Sequence, residues 1–131
     1  MTSLEILTAY RATVQEIDAV NQQLKKCALP CGPNALRNQL YDGVAPGTND
    51  PTAAAMQRMD GLEELLMRRR QYLLEIAAGF ESIIQSIDHP ETAVIIRRYY
   101  GLGESDAQVA EAMGKSAKWI MRLRHRFINT L

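Results

Sequence analysis

The chain has 131 residues, a length that suits one domain, or a helical module with one small domain, and leaves little room for an enzyme cleft. Its 15 basic and 15 acidic side chains cancel, but residues 91–131 alone carry a net charge of +3, which favours contact with nucleic acid. No run of 18 apolar residues exists and the first five residues carry no basic start, so we expect no membrane span, no signal peptide and a cytoplasmic location.

A first long helix is predicted to begin at Thr2 or Ser3, either of which can cap it, and to end near Cys27. Side chains recur along it in heptad steps of three and four residues. These positions are Leu7, Tyr10, Val14, Ile17, Asn21 and Leu24. The polar Asn21 either fixes the register by pairing with another Asn or marks a wetter helix end.

Residues 28–50 break the helical pattern, because Pro30, Gly32 and Pro33 fall within four residues and 44–50 is rich in turn residues. We expect a mobile loop there, with a short helical turn or a contact segment at 34–40.

Cys27 and Cys31 are the two cysteines of the chain. A zinc site could in principle combine them with His89 and His125, but zinc sites use a second pair of ligands close in sequence, and these histidines are far apart. A reducing cytoplasm disfavours a disulfide. We therefore expect no metal and no cofactor.

A second long helix is predicted over 51–87, with Asp50 as its cap and Pro51 in its first position. Its heptad seam consists of Met59, Leu62, Leu66, Arg69, Leu73, Ile76, Phe80, Ile83 and Ile87. Gly61 and Gly79 each cost about 1 kcal/mol against Ala in a helix, so packing of the seam must offset them.

The two long helices are predicted to pack as an antiparallel hairpin. The second is longer, so part of its seam would stay exposed, and exposed apolar seams are interaction surfaces. We therefore expect a homo-oligomer, most simply a dimer. Its seam residues would be Leu66, Arg69, Leu73, Ile76 and Phe80. Arg69 would pair with Glu16 or Asp18, or with a second subunit, and the run 68–70 is either a solvated face or a phosphate contact.

Residues 88–131 carry the signals of three short helices. Pro90 suits a first helical position, Glu91 suits the positive end of the helix dipole, and Gly101 is a candidate left-handed cap at the end.

Ser105 is the expected N-cap of the next helix, Asp106–Met113, which ends at Gly114. Ser116 then caps a last helix over 117–131. Two short helices joined by a tight turn with Gly are typical of a helix-turn-helix.

The last helix is predicted to be amphipathic at about 100° per residue. Its core stripe contains Ile120, Leu123, Phe127 and Leu131, and its opposite face contains Lys118, Arg122, His125 and Asn129. Residues 115–131 include five basic side chains and no acid. Such a face is often merely solvated, but together with the caps and the turn it favours DNA contact.

A further pattern extends over the last third of the chain. Its members are 95–101, Val109, Ala110, 112–114, Ser116, Trp119, Ile120, Arg122, Phe127, Ile128 and Leu131. These residues resemble sigma-factor region 4 and its phage-borne relatives. The whole chain resembles small prophage proteins of Gram-positive bacteria that are similar to the ArpU-type phage transcriptional regulators. The resemblance implies control of phage genes in a bacterial host cell. One departure is the loop 101–106, which lacks an aromatic residue before the second helix.

We thus expect an all-α chain with a long-helix oligomerisation region at 1–87 and a region-4-like helix-turn-helix domain at 88–131. The hypothesis is a phage-type transcriptional regulator whose helix 117–131 enters the major groove of double-stranded DNA. The expected DNA-binding residues are Lys115, Ser116, Lys118, Trp119, Arg122, His125 and Arg126.

Two other functions fit the same pattern. One is a small terminase-like packaging protein, which would form rings, and the other is a protein-interaction module that binds RNA polymerase or a sigma factor. An enzyme is not expected, because the sequence contains no phosphate-binding Gly loop, no H-E-x-x-H motif and no catalytic triad arrangement.

Overall fold

The computed structural model describes residues 1–28 and 51–131, and in this part of the chain every regular element is helical. The predicted all-α class is therefore confirmed. The predictions for 29–50, including the loop, the turn at 34–40, the Asp50 cap and Cys31, lie outside the described residues. None of the described helices is long and apolar enough to cross a membrane.

Two long helices come first, and both match their predicted bounds closely. Helix α1 is Ser3–Ala28 and helix α2 is Pro51–Gln85. At the start of α1, Thr2 and Glu5 exchange a pair of hydrogen bonds of 3.1 and 3.2 Å, which is the capping-box arrangement.

Three short helices follow. Helix α3 is Pro90–Ile96 and continues as a π-helical turn over Arg97–Gly101. Helix α4 is Asp106–Met113 and helix α5 is Ala117–Asn129. Pro90, Ser105, Gly114 and Ser116 all occupy the positions predicted for them.

The residues form two compact units, one made of Met1–Gln15 with Gln71–Leu131 and one within Glu16–Arg70. The first of these units contains residues on both sides of position 87, and the predicted division into regions 1–87 and 88–131 stays a prediction. Its larger core cluster consists of Leu7, Phe80, Ile83, Ile84, Ile96 and Tyr100. The start of α1 and the end of α2 thus share a core with the short helices.

Phe80 explains much of this packing. Its side chain is 2% exposed and stacks on Tyr10, with ring centres 4.0 Å apart. Gly101 lies so close that a Cβ there would be 3.0 Å from the Phe80 ring. Gly79 is similarly close to Ile6, at 3.2 Å. At both positions the close neighbouring side chain therefore favours a residue without a Cβ atom.

Gly101 does not have the left-handed conformation that we expected of it. The backbone continues helically through it, and the left-handed residue is Gly103, with φ 72°. The π turn delays the end of the helix, because the Leu102 N–H still donates to the Arg97 carbonyl at 3.2 Å. Gly103 therefore ends the helix, and Gly101 provides the space for Phe80.

The predicted seam positions in α2, from Met59 to Ile83, are all buried or half-buried, as is Ile87 just after the helix. Our expectation that part of the seam stays exposed is therefore wrong for this chain. Its last positions are covered by the short helices, since Ile96, Tyr100, Phe127 and Ile128 all pack in the cluster around Phe80. Oligomerisation through the seam stays a prediction.

The unit within Glu16–Arg70 contains one of the predicted ion pairs. Arg69 Nε lies 3.1 Å from Glu16 Oε1, and both side chains are about two-fifths exposed. Of the partners proposed for Arg69, Glu16 is the one observed. Among the described side chains of this unit, the buried apolar ones are Val20 and Leu66.

Candidate nucleic-acid interface

The turn between α4 and α5 consists of a left-handed glycine followed by the N-cap of α5. Gly114 has φ 68°, and the Lys115 N–H donates to the Ala110 carbonyl at 3.0 Å. This is the left-handed helix end that Gly adopts without strain. The Ser116 hydroxyl oxygen then accepts from the Trp119 N–H at 3.2 Å and starts α5.

Helix α4 begins with a complete capping box. Ser105 Oγ accepts from the Gln108 N–H at 3.2 Å, and Gln108 Oε1 accepts from the Ser105 N–H at 2.9 Å. Both helices of the helix-turn-helix are thus capped at their N-termini by hydrogen bonds between residues three positions apart in sequence.

One side of α5 is anchored in the core. Ile120 is fully buried in a cluster with Ile95, Val109 and Ala110, and Leu123 is half-buried beside it. Phe127 is half-buried against the cluster around Phe80. Leu131 is 51% exposed, so its predicted core role is wrong. The helix ends at Asn129, and Leu131 therefore does not continue the stripe.

The opposite side of α5 faces away from the core. Lys118, Arg122, His125 and Asn129 are all exposed, as the helical wheel predicted. The structure therefore brings these four predicted side chains onto one open face.

The other predicted DNA-binding residues flank that face. Lys115 and Arg126 are exposed, and Lys115 Nζ lies 5.4 Å from the centre of the Trp119 ring. Trp119 is half-buried and, with Arg126, borders a cleft of about 410 Å³ between α5 and the start of α3. The Ser116 oxygen is used in the cap, so only its O–H remains to donate to a phosphate.

Arg124 is the basic residue of α5 that does not join this face. Its guanidinium forms two hydrogen bonds to the Asp106 carboxylate, at 3.1 and 2.9 Å, and only 12% of the side chain is exposed. Its role is to hold α5 against the start of α4.

Tyr99 connects this pair to the first helix. The guanidinium carbons of Arg124 and Arg11 lie over its ring, at 4.0 and 3.9 Å from the ring centre. Arg11 also donates to the carbonyls of Tyr99 and Glu104, at 2.9 and 3.2 Å. This cluster could not be predicted from the sequence, because no periodic pattern links a residue of α1 to one of α3.

Two further arginines of this unit are paired with acids. Arg97 contacts Glu81 at 2.8 Å and Arg98 contacts Glu104 at 3.0 Å. The hydrogen bonds from Arg97 lower the pKa of the Glu81 carboxyl.

Within Met1–Gln15 and Gln71–Leu131, the basic side chains without an acidic partner or a buried contact are therefore Lys115, Lys118, Arg122 and Arg126. All four lie on α5 or immediately before it, where residues 115–131 contain no acid. The free positive charge of this unit is concentrated on the exposed side of one helix.

Comparison with protein-family models, with characterised proteins and with solved structures finds no match for the chain.

Proposed function

We propose that the protein is a DNA-binding transcriptional regulator of the phage or prophage type, with α5 in the major groove of double-stranded DNA. The observation that carries the proposal is the concentration of unpaired cations on the exposed side of α5. Every other arginine of the same unit has a protein partner, so this face is the one that a polyanion would contact.

The geometry of the motif supports the same conclusion. A helix that enters the major groove needs one side fixed in the core and one side with donors for phosphates and base edges. In α5, Ile120 fills the first role, and Lys118, Arg122 and His125 supply donors on the second. Lys115, Ser116 and Arg126 would hold phosphates beside them. The resemblance to sigma region 4 favours transcription as the process.

The test compares two double variants that remove the same charge. Lys115→Ala with Arg126→Ala removes the two proposed phosphate contacts at α5, whereas Arg68→Ala with Arg70→Ala removes two exposed cations from α2. Affinity for a random-sequence duplex is measured by fluorescence anisotropy at low salt. We expect the α5 variant to lose at least tenfold in affinity and the α2 variant to stay within about twofold of wild type. Equal losses in both variants would contradict the proposal.

A further inference from the structure

The exposed side of α5 also carries one apolar side chain. Within α5, all of whose residues are described, Met121 is the large hydrophobic residue that is exposed, at 41%. It lies three residues after Lys118, about 60° away around the helix, so it borders the face of the proposed base contacts. With α5 in the major groove, an apolar side chain at this position can pack against an apolar group of a base.

Lys118 and Arg122 of this face can only donate hydrogen bonds. From Ala117 to Phe127 the helix contains no Asp, Glu, Asn or Gln. The exposed amino groups of cytosine and adenine need an acceptor, which carboxylates and amides supply. Guanine instead offers two acceptors, N7 and O6, and is the commonest partner of Arg and Lys in the major groove. Lys118 and Arg122 therefore match guanine.

Met121 matches thymine. Among the four bases, thymine is the one that presents an apolar group, its 5-methyl, in the major groove. Between Lys118 and Arg122 the helix rises roughly 6 Å, since each residue adds about 1.5 Å. Base pairs are about 3.4 Å apart, so these two donors and Met121 face about three successive base pairs.

We propose that the core of the DNA site consists of three successive base pairs with two guanines, on either strand, that accept from Lys118 and Arg122, and a thymine whose methyl group packs on Met121. This inference rests on the proposed function, because it assigns base preferences to the same helix.

The first experiment is selection of bound duplexes from a random pool with the full chain, followed by sequencing. Enrichment of a core with two G·C pairs and an adjacent thymine supports the inference. Binding that enriches another core overturns the inference and leaves the proposed function intact. Failure to retain any duplex overturns both.

The second experiment tests the methyl contact by itself. In the selected duplex, replacing the core thymine by uracil removes only the methyl group, and we expect wild-type affinity to fall about three- to fivefold. The same replacement should not affect Met121→Ala, while the control Met67→Ala, which alters a methionine exposed on α2, should respond as wild type does. A loss of equal size in all three proteins would overturn the thymine assignment.

The guanine contacts are tested in the same format. Replacing each core guanine by 7-deazaguanine removes the N7 acceptor, and wild-type affinity should fall about tenfold. Arg122→Ala should be insensitive at one guanine and Lys118→Ala at the other. Full sensitivity of both variants at both guanines would overturn the assignment.

Discussion

Arg124 lies over the ring of Tyr99, with its guanidinium carbon 4.0 Å from the ring centre, while two of its nitrogens donate to Asp106. One helix thus carries two kinds of arginine. Arg124 faces inward and holds α5 in place, and Arg122, two residues earlier, faces outward. Replacement of Arg124 should therefore lower the stability of the fold, whereas replacement of Arg122 should lower the affinity for DNA.

We expect Arg124→Ala to lower the free energy of unfolding by about 2 kcal/mol, because it leaves the part-buried Asp106 carboxylate without its charged partner. Urea denaturation followed by circular dichroism measures this loss. Arg122→Ala is the matched control and should change stability by less than about 0.5 kcal/mol. A stability loss for Arg122→Ala as large as that for Arg124→Ala would show that the inward and outward roles are misassigned.

Two glycines should respond in opposite directions to replacement by Ala. Gly114 has φ 68°, where a Cβ is strained, so Gly114→Ala should cost about 1 kcal/mol although no atom lies within 4 Å of the new methyl. Gly61 is exposed within α2 with open space around it, so Gly61→Ala should add about 1 kcal/mol. Thermal denaturation of both variants measures the difference, and a change of the same sign in both would contradict it.

Stability should decline at high pH because of Tyr100. Burial raises the pKa of its hydroxyl, against a smaller lowering effect of nearby Arg124. The folded state therefore holds the phenolic proton more tightly than the unfolded state. The stabilisation from protonated Tyr100 is complete at a pH below the ordinary tyrosine pKa, and it is lost as the pH rises through the raised pKa of the folded state. Tyr100→Phe should flatten this alkaline decline in urea titrations. An unchanged pH profile in the variant would exclude Tyr100 as its source.

The dependence of DNA affinity on salt concentration should distinguish phosphate contacts from base contacts. With Lys115 and Arg126 on phosphates, the slope of log affinity against log salt concentration should be about −2 per subunit. Arg126→Gln should reduce its magnitude by about 1 and weaken binding to all duplexes alike. The measurement is anisotropy of one duplex at several salt concentrations. A slope that is unchanged in Arg126→Gln would remove this residue from the interface.

The oligomeric state distinguishes the proposed regulator from the alternatives. Light scattering should give the mass of a dimer, and the mass should increase with random-sequence duplex at low salt. Two symmetry-related α5 helices could then contact two half-sites. A ring-sized mass would favour a packaging protein instead, and a dimer indifferent to DNA would favour a protein-interaction module.

The parts of the structure that depend on neighbours in sequence could be predicted from the sequence. Pro90, Ser105, Gly114 and Ser116 act within one turn of the chain, and each is where it was expected. The exposed side of α5 was also predicted, because a helix with Ile120 in the core must turn Lys118 and Arg122 outward.

The parts that depend on distant contacts could not be predicted in this way. The choice between Gly101 and Gly103 as the left-handed residue depends on Phe80, whose ring packs against Gly101. The cover over the α2 seam depends on the docking of the short helices. Helical periodicity identifies the apolar side of a helix, but it does not identify the segment that covers it.

The bond from Arg11 to the Glu104 carbonyl has a consequence for synthesis of the chain. The ribosome synthesises Leu7 and Tyr10 long before their partner Phe80 and before Glu104. Until those later residues emerge, these apolar side chains of the first helix lack their native partners. Contacts between segments so distant in sequence delay folding, and exposed apolar surface in the meantime promotes aggregation. During translation the nascent chain should therefore be a client of holdase chaperones until the third helix has been made.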